Sequence, residues 1–470
     1  MNLKIYDSMS RELRPFVPRE PGKVDMYVCG PTVYDYIHIG NARPVIFFDV
    51  VRRYLEAIGL KVNYIVNFTD VDDKMIRKAA ELGTTVPELA EKFIAAFKED
   101  REALGAHPPT VSPRVTETIG EIVEFIRGLV EQGKAYESGG DVYFRTSTFP
   151  EYGKLSHKNL DELQYGIRID VDERKESPQD FVLWKAAKPG EIHWPSPWGE
   201  GRPGWHIECS AMARKFAGDT LDIHGGGHDL QFPHHECEIA QSESLTGKPL
   251  ARYWMHNGFV NINNEKMSKS LGNGVNVRQL LQRASKSAVR YLVLSTHYRS
   301  PLNFSDETIR QATGSVERLT NCRDNVRHRL STVAKGSLSL SPDMALQERL
   351  QQLRNEFHAR MRNDFGTPDA ITAWFGIVSE VNAYLQREAV SEKDLLFILE
   401  SIEELDGILG LLPEAEEANL PDGEVDALIA ERTAARANRD FKRADEIRDL
   451  LAERGIVLED TPQGIRWRRK

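Results

Sequence analysis

Four side chains able to bind metal or act as nucleophiles are scattered along this sequence, at Cys29, Cys209, His234 and Glu238. Two thiolates, an imidazole and a carboxylate make a donor set that suits Zn2+. His234 and Glu238 lie four apart in Phe232-Pro233-His234-His235-Glu236-Cys237-Glu238, so a helix opened by Pro233 puts them on one face. Cys209 falls on the helical stretch that starts at Trp205. Cys237, His235 and His224 are competing donors, and spacing alone leaves the choice among them open. Structural zinc sites more often use close Cys-x-x-Cys pairs. A set this scattered has to be assembled by the fold, and such a site can stand in a substrate pocket. The ordinary alternative is an exposed His234–Glu238 helix pair and a core thiol at 209.

A second group of residues suits phosphates. An apolar strand over 24–28 runs into Cys29, and a turn-rich loop then leads through His38-Ile39-Gly40-Asn41 into a helix. Ligands of open α/β sheets bind just beyond the carboxyl ends of the strands, so this position is placed for chemistry. The polar loop Asn264–Asn273 carries Lys266 and Lys269 three apart with two serine hydroxyls, the equipment of a loop that closes over phosphates. Asp222-Ile223-His224-Gly225-Gly226-Gly227-His228-Asp229 follows a strand, and its bare glycines would let backbone approach a ligand. There is no P-loop and no Gly-x-Gly-x-x-Gly, which argues against Walker-type hydrolysis and nicotinamide binding.

These groups need elements to hold them. The first 110 residues read as strand, helix, strand, helix: a strand over 24–28, then a helix over 41–58 with Val45, Phe48, Val51, Leu55 and Ile58 on one face. A buried strand over 62–68 and a helix opening at Thr69-Asp70 follow. That order predicts a parallel sheet with crossover helices. From 114 to 200 the character changes to a helix over 114–132, short strands at 135–136 and 141–145, and a Pro/Trp-rich run, which reads as an insertion. The α/β pattern resumes with a helix over 205–217, a strand over 220–224, a helix over 234–245 and a strand pair within 250–262. Three apolar stripes follow: Leu346, Leu350, Leu353, Phe357 and Met361; Ile371, Trp374, Val378, Val381 and Leu385; and a third from Leu396 to Leu411. They predict an antiparallel bundle. Beyond a polar linker over 412–424, a small unit of helices and a hairpin turning at 462–464 is expected.

A chain of 470 residues exceeds one ordinary domain. No apolar run reaches the roughly 20 residues of a bilayer span, and the start lacks the basic-then-apolar pattern of a secretory signal. A cytoplasmic protein is expected. Four cysteines do not make a disulfide framework. A net charge of −10 argues against a generic polyanion binder. The charge is uneven, however: residues 276–330 hold ten Lys/Arg against four Asp/Glu, and 391–424 hold eleven acids and one base. Local basic patches on an acidic chain are compatible with one nucleic acid held at particular places.

Taken together, the motifs are far more specific than any one of them. His38-Ile39-Gly40-Asn41 resembles the first signature of class I aminoacyl-tRNA synthetases, and Lys266-Met267-Ser268-Lys269-Ser270 matches their second. Cys29 to Tyr34, Asn67 to Asp73, the triple-glycine segment and Phe232-Pro233-His234-His235 look like the cysteinyl-tRNA synthetase family over the whole chain. The resemblance implies an α/β, Rossmann-like catalytic domain split by an insertion, then an α-helical bundle and a small α+β C-terminal unit. The expected boundaries are 1–113 and 205–264 for the two catalytic halves and 114–204 for the insertion. A signature-loop and stem-contact region over 265–330, a helical tRNA-binding bundle over 331–412 and an anticodon-binding unit over 413–470 complete the chain.

The resemblance also implies ligation of L-cysteine to tRNA(Cys) with ATP and Mg2+, by a monomer that does not engage a membrane. One Zn2+ per chain would be held by Cys29, Cys209, His234 and Glu238, which leaves Cys237 and His235 out of the ligand set. His38, Asn41, Lys266 and Lys269 take the catalytic roles. Thr32, Gly227, Asp229, Gly258 and Val260 join His38, Asn41 and Lys269 around ATP. Gly30, Thr69, Trp205 and His224 join Cys29 around the amino acid. Asn41 stands where the first signature often has a second histidine, so one contact to ATP becomes an uncharged amide. Arg439, Trp467 and Arg468 are candidates for anticodon contact, the ordinary alternative being surface salt bridges and a hairpin aromatic. The rival within the same ancestry, a ligase of cysteine to an amino sugar, lacks a C-terminal unit of this kind. A non-catalytic RNA-binding paralogue is disfavoured by the intact signatures.

Overall fold

The computed structural model describes residues 2–158, 173–267, 274–333, 340–413, 422–438, 440–453, 456–461 and 464–469. Four parallel strands carry the site: β1 (Lys23–Val28), β2 (Lys61–Val66), β3 (Leu221–Gly227) and β4 (Ala251–Asn257), in the spatial order β4-β3-β1-β2. Helix α1 (Ile39–Ala57) connects β1 to β2, α2 (Trp205–Ala217) precedes β3, and α3 (Glu236–Thr246) leads from β3 toward β4. Val28 pairs with Val66 on one side and with Gly225 on the other. β1 thus ends between β2 and β3, and whatever follows Val28 sits at the centre of the sheet's carboxyl edge. Val24, Met26, Tyr27 and Val28 are all buried, as expected for a parallel strand covered on both faces.

The expected stripe on α1 is part of a wider buried surface. Phe48, Val51 and Leu55 are buried, Val45 and Ile58 only half so, and Ala42, Ile46, Phe47, Val50 and Tyr54 are enclosed as well. Arg43 and Asp49 are buried on the same helix. A single amphipathic stripe underestimates a helix that is packed on most of its circumference.

The helix expected from Thr69-Asp70 begins instead at Asp73, where the Asp72 side chain accepts the Met75 N–H at 2.8 Å. Asp70 is committed elsewhere, to the Thr116 backbone N–H at 3.0 Å and hydroxyl at 2.5 Å, and Thr69 is bonded to Glu208. Between β2 and β3 in sequence lies a separate antiparallel sheet of Ala135–Ser138, Asp141–Phe144, Phe181–Ala186 and Gly201–Pro203, accompanied by the helix Ile119–Glu131. The two strands expected within 250–262 do not pair with each other. β4 lies beside β3, whereas Val260–Ile262 joins Leu302–Phe304 and Glu265–Lys266 in another sheet.

The chain divides into two compact units. One comprises Met1–Val316, Leu353–Trp374 and Leu405–Leu411; the other comprises Glu317–Gln352, Phe375–Glu404 and Leu412–Lys470. The helices Met344–Met361 and Thr367–Leu385 bury every residue of the first two expected stripes. In Glu392–Leu409 the buried face is Leu395, Ile398, Ile402, Leu405 and Leu409, while Leu396 is 49% exposed, so the third stripe starts one residue earlier than its expected first leucine. The helices Asp422–Ala437 and Phe441–Glu453 and the hairpin Ile456–Thr461 with Gly464–Arg469 enclose a small core of Val425, Ile447, Leu451 and Ile456. Arg439 and the side chains of Trp467 and Arg468 lie outside the described residues. Among the described residues, no helix is long and apolar enough to cross a membrane.

Candidate functional site

The turn after β1 is fixed by backbone geometry. The Cys29 N–H donates to the Gly225 carbonyl at 3.1 Å and the Gly30 N–H to the Asn67 Oδ1 at 2.9 Å. A Cβ on Gly30 would lie 1.8 Å from the Asn67 carbonyl oxygen, so no side chain fits there. Cys29 is thereby aimed at α2 and α3. Its Sγ lies 3.9 Å from the Cys209 Sγ and 3.6 Å from the Glu238 Oε1, and the His234 Nε2 lies 3.0 Å from that same carboxylate oxygen. The metal-binding atoms of Cys29, Cys209, His234 and Glu238 all lie within 4.8 Å of one another, and Cys209, His234 and Glu238 are buried. His234 belongs to the turn Gln231–His235 and Glu238 to α3, and the four-residue spacing brings them into contact as expected.

Electrostatics in this cluster are strongly coupled. Burial and the neighbouring Cys209 push the Cys29 thiol well up, while the hydrogen bond from Cys29 helps bring Cys209 down to about 6. Burial works against the His234 imidazolium, but Glu238 and Cys209 outweigh it and hold it up to about 10. Burial likewise works against the Glu238 charge, yet His224 and His234 hold its carboxyl well below the usual range. Two soft thiols, an imidazole and a carboxylate in a buried pocket are donors whose chemistry fits Zn2+.

A second group shares two of these residues. Cys29, His224, His235 and Glu238 also bring their donor atoms within 4.8 Å of one another. His224 Nε2 is 2.7 Å from the other Glu238 oxygen, and His235 Nε2 is 3.3 Å from the Cys29 Sγ. His235 is in turn tied through Nδ1 to His256 at 2.8 Å. Burial and the nearby His224 keep His235 well below its ordinary value, and hence neutral. Cys237 belongs to neither group: its Sγ sits 3.2 Å from the Tyr152 hydroxyl, fully enclosed, and burial pushes that thiol up.

Beside the cluster lies a cleft of about 610 Å³. Cys29, Gly30, Thr32 and Trp205 line it near the donors, and His38 and Asn41 line it at the start of α1. Gly227, Asp229, Gly258 and Val260 form a further wall. Trp205 is 40% exposed, and its ring centroid stands 4.4 Å from that of His234, so it borders both the donors and the cleft. Thr69 and His224 do not line the cleft; they stand behind it, Thr69 donating to Glu208 Oε2 at 2.8 Å and His224 against Glu238.

Of the three consecutive glycines, only Gly227 lines the cleft. A Cβ on Gly225 would lie 2.4 Å from the Phe48 ring, so that glycine serves the packing of α1 on the sheet. Asn41 also has a local task, since its Oδ1 accepts the His38 N–H at 3.2 Å and closes the first turn of α1. Burial lowers the His38 imidazole, opposed by Asp229 and Asp35.

Lys266 lies on the short strand Glu265–Lys266; its side chain, and Lys269 entirely, lie outside the described residues. From Gly274 onward the chain lies beside the start of α1, where Ile39 N–H donates to Val275 O at 2.9 Å and Val277 N–H to Ile37 O at 3.1 Å. No role for His206 or Glu208 is read from the sequence, whereas His256 is expected only as the start of a backbone segment against adenine; its side chain is instead held by His235 and Ser8. His206 Nδ1 is 2.9 Å from His234 Nδ1, and Glu208 is fully buried with one oxygen bonded to Thr69. For His206 and Glu208 the one available signal was their position beside Cys209 on the helix from Trp205.

Three family descriptions match the chain: tRNA synthetases class I (C) catalytic domain over residues 15–314, DALR domain over 356–413, and cysteinyl-tRNA ligase anticodon binding domain over 420–468. Cysteine–tRNA ligase of Brevibacillus brevis is 55% identical over 473 residues, covering 100% of both chains. That of Shouchella clausii is 56% identical over 467 residues, covering 99% of both. Among solved structures, Mycobacterium tuberculosis methionyl-tRNA synthetase in complex with methionyl-adenylate is similar with a TM-score of 0.62 at 19% identity, covering 83% of this chain and 90% of the other. A leucyl synthetase ternary complex from Agrobacterium radiobacter gives 0.59 at 13% identity, covering 84% and 85%. These distant likenesses show the class I fold.

Proposed function

Since the chain belongs to the cysteine–tRNA ligases of class I, we propose that it charges tRNA(Cys) through cysteinyl-adenylate and selects cysteine at a zinc centre. A carboxylate oxygen of cysteine attacks the α-phosphorus of ATP, and the bond to pyrophosphate breaks. A ribose hydroxyl of the terminal adenosine then attacks the cysteinyl carbonyl carbon, losing its proton as AMP leaves. His38 and the N–H groups at the start of α1 meet the phosphates as charge develops. Asn41 contributes an amide and holds the His38 turn closed. Gly227, Asp229, Gly258 and Val260 receive the adenosine, with Thr32 beside them. Lys266 and Lys269 neutralise the outgoing phosphates.

Cys29, Cys209, His234 and Glu238 would hold Zn2+, which when bound supplies an open coordination position for a substrate thiolate. Serine's hydroxyl is a much poorer ligand and stays protonated, so discrimination of this kind exceeds what an apolar pocket reaches. Gly30 and Trp205 frame the amino acid. Thr69 and His224 act from behind, one on Glu208 and the other on Glu238.

The observation that carries this reading is the convergence of four donors from the turn after β1, α2 and the Gln231–Thr246 segment beside a cleft lined by His38 and Asn41. Metal content, together with the amino acid dependence of ATP–pyrophosphate exchange, tests it. Cysteine alone should support exchange, and chelation should abolish it. Full activity in demonstrably zinc-free protein refutes the zinc assignment.

A further inference from the structure

Arg43, two residues beyond Asn41 on α1, is fully buried, and among the described residues no carboxylate pairs with it. Its guanidinium donates to backbone carbonyls alone. Nη1 reaches Gly258 at 2.8 Å and Phe259 at 2.9 Å, and Nη2 reaches His297 at 3.2 Å and Ser300 at 2.6 Å. Burial pushes it down to about 10, as expected for a cation kept by dipoles without a counter-charge. A buried charge is costly unless its hydrogen bonds are made, and a planar fork addresses two pairs of acceptors in a way that an ammonium cannot.

The four carbonyls belong to two segments that rest on each other. The Gly258 N–H donates to Tyr298 O at 2.7 Å, Leu302 N–H donates to Phe259 O at 2.9 Å, and a Cβ on Gly258 would come within 2.6 Å of Ser300 O. Gly258, Phe259 and Val260 form one wall of the cleft, and His38 and Asn41, at the start of the helix that carries Arg43, form another. None of these carbonyls lies on a segment that supplies a donor to the Cys29 cluster.

We propose that Arg43 is a positioning residue for ATP, tying the wall at 258–260 to the helix that follows His38 so that adenosine and phosphates are met at a fixed separation. The inference rests on the nucleotide reading above. It assigns Arg43 to one substrate only, since its contacts reach the nucleotide walls and leave the metal cluster untouched.

The test uses full-length, zinc-loaded enzyme with Arg43→Lys and Arg43→Gln. It compares KM for ATP with KM for cysteine in pyrophosphate exchange, and thermal melting reports folding. Arg43→Lys keeps the charge but loses the fork. It should raise KM for ATP about tenfold, the size of one lost hydrogen bond of a charged group, with KM for cysteine within about twofold. Arg43→Gln should raise the ATP value further, and if it does not fold, Arg43→Lys decides. Equal rises in both KM values, or an unchanged ATP value beside normal wild-type exchange, overturn this inference alone. Absence of cysteine-dependent exchange in the wild type overturns the functional reading and this inference with it.

Discussion

Zinc affinity should climb steeply with pH, and the slope identifies which residues hold the metal. Metal ligands bind as thiolate, neutral imidazole and carboxylate, so each proton carried by the empty cluster must leave on binding. Between about pH 7 and pH 9, Cys209, brought down to about 6, is already a thiolate, and Glu238, held well below the carboxylate range, is ionised. Cys29, pushed well up by burial and its neighbouring thiol, carries its proton in this window. So does His234, held up to about 10 by Glu238 and Cys209 against the effect of burial. Binding by Cys29, Cys209, His234 and Glu238 therefore expels about two protons, and affinity gains about a hundredfold per pH unit, or roughly 2.7 kcal/mol.

The alternative set of Cys29, His224, His235 and Glu238 leaves the His234 proton in place, so with that set the slope would not change when His234 is replaced. Competition against a chromophoric chelator of known pH dependence, at several pH values in this window, measures the slope directly. His234→Gln should remove one proton from the slope and weaken binding by more than about a hundredfold. His235→Gln, touching Cys29 from outside the set, should cost less, about tenfold to a hundredfold. A wild-type slope near one, or a greater loss from His235→Gln than from His234→Gln, would falsify the assignment of ligands.

Three further outcomes follow from the same geometry. Thr69→Val strips Glu208 of its hydrogen bond at Oε2 while Oε1 has no partner among the described residues; destabilisation of about 1–3 kcal/mol by denaturant titration is expected. Burial and the nearby Cys209 hold the Glu208 carboxyl well up, and hence neutral, so Glu208→Gln should be much milder, and the reverse order would contradict a neutral carboxyl. Cys237→Ala should leave zinc content and the preference for cysteine over serine unchanged, its thiol being committed to Tyr152; loss of the metal in that variant would show the donor set to be wrong. His38→Ala should lower the turnover of pyrophosphate exchange by about a hundredfold to a thousandfold with KM for cysteine unchanged, and a purely cysteine-dependent defect would remove His38 from the phosphate side.

Much of the sheet was legible because parallel strands announce themselves as short apolar runs and their crossover helices by period. The helix expected over 205–217 is found within those bounds, and the hairpin closes where the Pro462–Gly464 turn was expected. Less legible was anything settled by partners distant in sequence. The helix after β2 starts late because Asp70 is held by Thr116, 46 residues on. The triple glycine, which in sequence suggested approach to a ligand, answers in part to the Phe48 ring.

The sequence by itself determined the chemistry available: two thiols, an imidazole and a carboxylate, two signature segments, and a β–α order with room for an insertion. Those properties reside in residue types and in local periodicity, which a linear reading preserves. Apart from His234 and Glu238, which their spacing already pairs, only the tertiary structure decided which groups meet. It drew Cys29 and Cys209 together across 180 positions and enclosed Cys237 with Tyr152 away from the donors. It also offered a second overlapping donor set through His224 and His235, and it buried Arg43 among four carbonyls. Proximity, burial and the resulting proton affinities arise from packing between distant segments, and no spacing along the chain encodes them.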